Sequence, residues 1–67
     1  MTIGQKIRQA MDIRGMKQVE LAEATNITEV SISRYVNDLR IPNTSELVKL
    51  CKALHISADW LLGIKDD

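Results

Sequence analysis

Aromatic side chains are nearly missing from this 67-residue chain: Phe is absent, and Tyr35 and Trp60 are the only two aromatics. Aliphatic side chains must therefore fill any core, and a chain this short needs efficient helix packing to hold it. One Pro and three Gly leave few breaks. No long run alternates β-branched with polar residues, so strands have no pattern to grow from and an all-α domain is expected. The single cysteine, Cys51, excludes an internal disulfide, and no charged start followed by an apolar run marks a signal peptide. No apolar stretch approaches membrane-spanning length. A reduced, cytoplasmic protein with no membrane partner is the expectation. Excess charge of either sign is also lacking: nine basic residues balance nine acidic ones, with a pI near 6.6. Nucleic-acid binders are usually basic, so the total argues mildly against such a partner. Its distribution is uneven, because Lys6, Arg8, Arg14 and Lys17 face only Asp12 within residues 1–17.

What is present centres on Gln18 to Asn37, where two short helical patterns meet at a tight break. The first carries Val19, Leu21, Ala22 and Thr25, the second Val30, Ile32, Tyr35 and Val36. Asn26 lies between them and belongs to the few residue types that accept a left-handed backbone. It can end one helix while Thr28 caps the next, its hydroxyl oxygen accepting from an orphan N–H of the new first turn. Ala22 is small where the second helix must cross, and Leu21, Ile27 and Ile32 can fill the angle. This is the spacing of a helix-turn-helix, whose second helix lies in the DNA major groove.

Three further helices flank this pair. Thr2 and Gln5 form a capping box ahead of Ile3, Ile7, Ala10 and Met11, with Gly15 as the stop and Arg14 helping at that helix's negative end. Lys6, Arg8, Gln9 and Asp12 form its polar, solvated face. Asn43 and Glu46 make a second capping box leading into Leu47, Val48, Leu50, Cys51 and Leu54. Ser57 caps a last helix bearing Trp60, Leu61 and Leu62, with Ile56 stapling onto Leu61 and Gly63 as the stop. The expected helices span about 2–14, 18–25, 28–36, 44–54 and 58–62, in one domain of residues 1–67 with a short acidic tail at 65–67. On helix 3, Ile32, Tyr35 and Val36 face inward and leave Glu29, Val30, Ser31, Ser33 and Arg34 outside. A valine on that outer face suits a groove-reading helix, since an apolar side chain can meet a thymine methyl, although single exposed apolar residues are common.

The chain resembles the compact five-helix DNA-binding domain of the phage-repressor and Cro-type (XRE-like) helix-turn-helix family, the lambda-repressor-like fold. The resemblance runs from Ile3 to Gly63. It rests on Gln18 with Leu21-Ala22, on Ile27-Thr28, on Ser31-Ile32-Ser33-Arg34, on Asn37 through Pro42, and on Ala53 through Gly63. It implies that Gln18 contacts a DNA phosphate, that Glu29, Val30 and Arg34 read bases, and that Thr28, Ser33, Asn37 and Arg40 touch the backbone near the groove edge. Family members often have glycine at the positions of Asn26, Asp38 and His55, all three types that tolerate positive φ. Many also carry an Arg–Glu ion pair where this chain has Met11 and Val36, so these two are expected to meet as an apolar pair.

Cys51 and His55, at i and i+4, are the only nucleophile or half-zinc-site candidates. Cys51 falls in an apolar stripe where a free cysteine acts as a small hydrophobe, and no glycine-rich loop or carboxylate pair supports catalysis. No enzyme activity, metal or cofactor is expected. A protein-binding helix-turn-helix module, antitoxin-like or bridging, is the stronger rival. From Gln18 to Pro42, Glu20, Glu23, Glu29 and Asp38 outnumber Arg34 and Arg40, a poor footprint for a phosphate lattice. The resemblance favours a sequence-specific regulator of double-stranded DNA, a repressor of prophage or mobile-element type. It would act as a homodimer on a pseudo-palindromic operator, paired in solution or only on DNA, through helix 5 and the tail around Trp60, Ile64 and Lys65, with a place in the core as the alternative for Trp60. The length leaves no room for a separate ligand-sensing domain, so no small-molecule ligand is expected.

Overall fold

The computed structural model describes residues 1–65, which form five helices: α1 (Ile3–Arg14), α2 (Gln18–Thr25), α3 (Glu29–Val36), α4 (Thr44–Leu54) and α5 (Ala58–Leu62). The expected acidic tail, Asp66 and Asp67, lies outside the described residues. Local chemistry sets the helix ends. Thr2 Oγ1 accepts from Gln5 N at 3.1 Å while Gln5 Oε1 accepts from Thr2 N at 2.9 Å. Asn43 and Glu46 repeat that reciprocal pair at 2.8 and 3.0 Å. Thr28 and Ser57 cap α3 and α5 through Ser31 N and Trp60 N. α1 and α3 therefore start at Ile3 and Glu29, with Thr2 and Thr28 standing outside as the expected caps. α2 has no side-chain cap, but Glu20 Oε1 accepts from Lys17 N at 2.9 Å.

Helices α1, α2, α4 and α5 stop on left-handed residues: Gly15, Asn26, His55 and Gly63. Asn26, Asp38 and His55 have φ of 58°, 58° and 56°, so each of the three adopts the backbone for which family members often use glycine.

α3 packs on α1 and α2, α2 also on α4, and α5 closes on α1 and α4. Ile7, Met11, Leu21, Ile32, Val36, Leu50, Leu54 and Leu61 form the aliphatic centre, with Tyr35 the one fully buried aromatic. Met11 and Val36 are both buried in this cluster. Two residues placed in apolar stripes stay at the surface: Val19 and Val48 are 45% and 47% exposed. Trp60 is half-buried against the core. Thr25 is buried and satisfies its hydroxyl on Leu21 O at 2.7 Å.

The polar face of α1 is not simply solvated. Lys6 Nζ donates to Trp60 O at 2.6 Å and lies 5.4 Å from the Trp60 ring centroid. Arg8 donates to Val36 O and Asn37 Oδ1 at 3.4 and 3.3 Å. Arg14, expected to support the end of its own helix, reaches across to Leu54 O at 3.3 Å. All three place a cation at the carbonyl end of a different helix, where the macrodipole favours it.

Gly4 is required where α1 meets α3. A Cβ there would fall 2.5 Å from Tyr35 O and 2.8 Å from Asp38 Oδ1. The Asp38 carboxylate also accepts from Gly4 N at 2.9 Å and from Thr2 Oγ1 at 2.6 Å. A residue of the α3–α4 connection thus caps α1 from 34 positions away.

Candidate nucleic-acid interface

The eight-residue α3 divides by helical period. Ile32, Tyr35 and Val36 point into the core, while Glu29, Val30 and Arg34 are exposed and Ser33 is half-buried. α2 packs on α3, which brings its first residue, Gln18, onto the same outer surface. Gln18, Glu29, Val30, Ser33 and Arg34 line one shallow hollow of about 390 Å³. Five of the eight residues expected to contact DNA thus lie together. Val30, one of its lining residues, is 61% exposed, and neither Arg34 nor Glu29 has an ion-pair partner among the described residues. Glu29 sits in the first turn of α3, where the helix dipole favours a carboxylate.

The other three lie outside that hollow. Thr28 lines a neighbouring depression with Val19, Ala22, Glu23, Asn26 and Ile27, and its hydroxyl both caps α3 and donates to Ser31 Oγ at 3.0 Å. Asn37 turns its amide back onto Ser33 O at 2.8 Å and receives Arg8 on its oxygen. Arg40 lies along the flank of α3, with Nη1 3.4 Å from Ser31 Oγ, Nη2 3.7 Å from Glu46 Oε1, and its Cζ 5.5 Å from the Tyr35 ring centroid.

Sequence reasoning missed the cluster beneath Arg40. Arg40 and Glu46 are separated by a connection rather than by a helical repeat, so no periodicity pairs them. The Tyr35 hydroxyl is buried there with no partner in hydrogen-bond geometry. Burial first, and then the Glu46 carboxylate beside it, push Tyr35 up to about 12. In return the Tyr35 hydroxyl, followed by the Asn43 N–H, holds Glu46 below the usual carboxylate range. Cys51 is half-buried and burial raises its thiol, which suppresses the reactive thiolate. Among the described residues no His, Cys, Asp or Glu cluster could hold a metal, and no helix is long and apolar enough to cross a membrane.

These five helices, with α2 and α3 meeting at the Asn26 turn, define a helix-turn-helix domain. A helix-turn-helix family model matches residues 7–61, and the chain belongs to that family, of the XRE type. It is 39% identical over all 67 residues to the HTH-type transcriptional regulator ImmR of Bacillus subtilis, of which it covers 52%; the chain thus spans about half the length of that curated relative. The fold matches the crystal structure of the P22 c2 repressor bound to a synthetic operator, with a TM-score of 0.88 and 30% identity over 91% of this chain and 92% of that one. SinR, the master regulator for biofilm formation, in complex with DNA, superposes with a TM-score of 0.86 and 31% identity, covering 91% of this chain and 98% of its own.

Proposed function

We propose that this chain is a sequence-specific regulator of double-stranded DNA, a repressor of prophage or mobile-element type, that lays α3 in the major groove. The observation that carries the reading is the shared outer hollow of Gln18, Glu29, Val30, Ser33 and Arg34. Two of its charged groups have no ion-pair partner among the described residues. Membership of a family with operator-bound and DNA-bound neighbours supports it.

Arg34 reads guanine through O6 and N7, Glu29 accepts from a cytosine N4, and Val30 meets a thymine methyl. Gln18, at the positive amino end of α2, contacts a phosphate with Thr28, Ser33, Asn37 and Arg40. The role is one of binding rather than catalysis, in the cytoplasm. One recognition helix reads few base pairs and the neutral chain gains little from phosphates. Two copies on a pseudo-palindrome, with half-sites roughly 34 Å apart, supply the missing contacts. Ile64 is well exposed beside the Lys65–Asp59 ion pair and, with Trp60, forms the pairing surface.

Selection of bound duplexes from a random DNA pool, followed by footprinting, tests this. A two-fold protected site and an affinity that falls with rising salt are expected. A single short asymmetric footprint would remove the dimer. Absence of binding at low salt would remove the DNA reading and leave the protein-binding module.

A further inference from the structure

We infer that Glu46 is a positioning residue for DNA binding: with Ser31 and the Tyr35 ring it holds the Arg40 guanidinium ready for a phosphate at the edge of α3. This rests on the DNA reading above and adds a residue to it.

Arg40 lies in the α3–α4 connection, where an unrestrained Arg samples many rotamers. Here three groups from two helices converge on its guanidinium. Ser31 Oγ accepts at 3.4 Å, Glu46 Oε1 lies 3.7 Å from Nη2, and the Tyr35 ring lies 5.5 Å below Cζ. Each anchor is itself fixed. Ser31 Oγ is held by Thr28 Oγ1, Tyr35 is 1% exposed, and Glu46 accepts from Asn43 N in the capping box of α4. Neither polar contact is short, and the Arg40 side chain remains 43% exposed. A guanidinium has five N–H donors, so two loose contacts steer it and leave donors for an incoming phosphate. Glu46 also partly neutralises Arg40. Its side chain is only 17% exposed and is occupied by the Asn43 N–H, so a phosphate arriving from solvent meets the cation first. Immobilising a long side chain at an interface carries an entropic cost that preorganisation removes.

Binding of a random-sequence DNA duplex, measured across a salt series for wild type, Glu46→Gln, Arg40→Ala and the double variant, tests the assignment. Gln retains the acceptor for Asn43 N and so keeps the cap of α4, which an unchanged helical circular-dichroism spectrum and a cooperative unfolding transition verify. Arg40→Ala is expected to reduce the salt slope by about one, the signature of one lost phosphate contact. Glu46→Gln is expected to weaken binding roughly two- to tenfold with the slope kept, and to have no further effect once Arg40 is Ala. Equal or tighter binding by Glu46→Gln makes Glu46 a mere counter-charge and overturns the inference. An equal loss in the Arg40→Ala background does so too, since Glu46 would then act through the fold. Failure of the wild type to bind any duplex at low salt overturns instead the DNA reading beneath it.

Discussion

The inner face of α3 buries Ile32, Tyr35 and Val36 almost completely, whereas its outer face leaves Val30 in solvent between Glu29 and Arg34, which have no ion-pair partner among the described residues. Both faces belong to one eight-residue helix. The inner one gains stability from apolar burial, which is local, non-directional and additive with area. The outer one buries little apolar surface and its charged groups stay in solvent; DNA is the partner proposed for them. Substitutions on the two faces should therefore separate: inside, stability changes; outside, binding changes.

The largest effect is expected inside, at Val36. Val36→Glu would bury an unpaired carboxylate and destabilise by roughly 3–5 kcal/mol, a large share of what a small domain possesses. Met11 is buried in the same cluster, and Met11→Arg added to Val36→Glu should recover much of the loss. The apolar pair then stands where relatives in this family often place an ion pair, an exchange that can be neutral or stabilising when made as a unit. Denaturant unfolding of both single variants and the double one forms the cycle. Additive losses would mean that the side chains at 11 and 36 do not meet, and the α1–α3 register would have to change.

Gly4→Ala sharpens the same comparison from the α1 side. In an ordinary helix this change is favourable by up to about 1 kcal/mol. Here the new Cβ meets a backbone oxygen, Tyr35 O, at 2.5 Å, so α1 must move off α3. A loss of about 1–3 kcal/mol is expected, as for overpacked cores. Unfolding midpoints check the sign, and a gain would show that α1 and α3 can separate at little cost.

On the outer face, Arg34→Ala should leave stability within about 0.5 kcal/mol. It should cost about 1–3 kcal/mol on a selected operator and relax base preference at one position. Gln18→Ala should weaken all sequences more evenly, because a phosphate carries no base identity. Equal loss on operator and random duplex for Arg34→Ala would make Arg34 a backbone contact.

What was legible in the sequence follows a similar line between near and far. Both capping boxes, the caps at Thr28 and Ser57, and the left-handed stops at Gly15, Asn26 and Gly63 are set by residues within a few positions, and a linear reading reaches them. The split of α3 into two faces was legible by period. The role of each outer residue came from the family resemblance and remains to be tested. Contacts that depend on how helices cross were invisible: Asp38 on Gly4 N, Lys6 on Trp60 O, Arg8 on Asn37, Arg14 on Leu54 O and Arg40 beside Glu46. Val19 and Val48 show the complementary failure. A single valine on a short helix fits either face, and only the neighbouring helix decides.

Asp38 offers the finest test of that long-range class, through pH. Its carboxylate accepts from Thr2 Oγ1 and Gly4 N, and these two bonds, the first the stronger influence, hold it below the usual carboxylate range. Glu46 is lowered as well, by the Tyr35 hydroxyl and then the Asn43 N–H. A depressed folded value means that, between it and the unfolded value of about 4, the unfolded chain binds more protons than the folded one. Stability therefore rises with pH through that window. The contribution is fully present above the unfolded value and is lost as pH falls through the folded one. Asp38→Asn keeps a residue type that tolerates positive φ and an acceptor for Gly4 N, but removes one of the two titrations. Because Asp38 is exposed, the change at neutral pH should be small, and the clearer signal is a shallower acid slope than in wild type. Urea midpoints measured from neutral pH down through the carboxylate range read this directly. If wild type and Asp38→Asn lost stability in parallel, the charge on Asp38 would contribute nothing to folding, and the bridge to the start of α1 would owe nothing to ionisation.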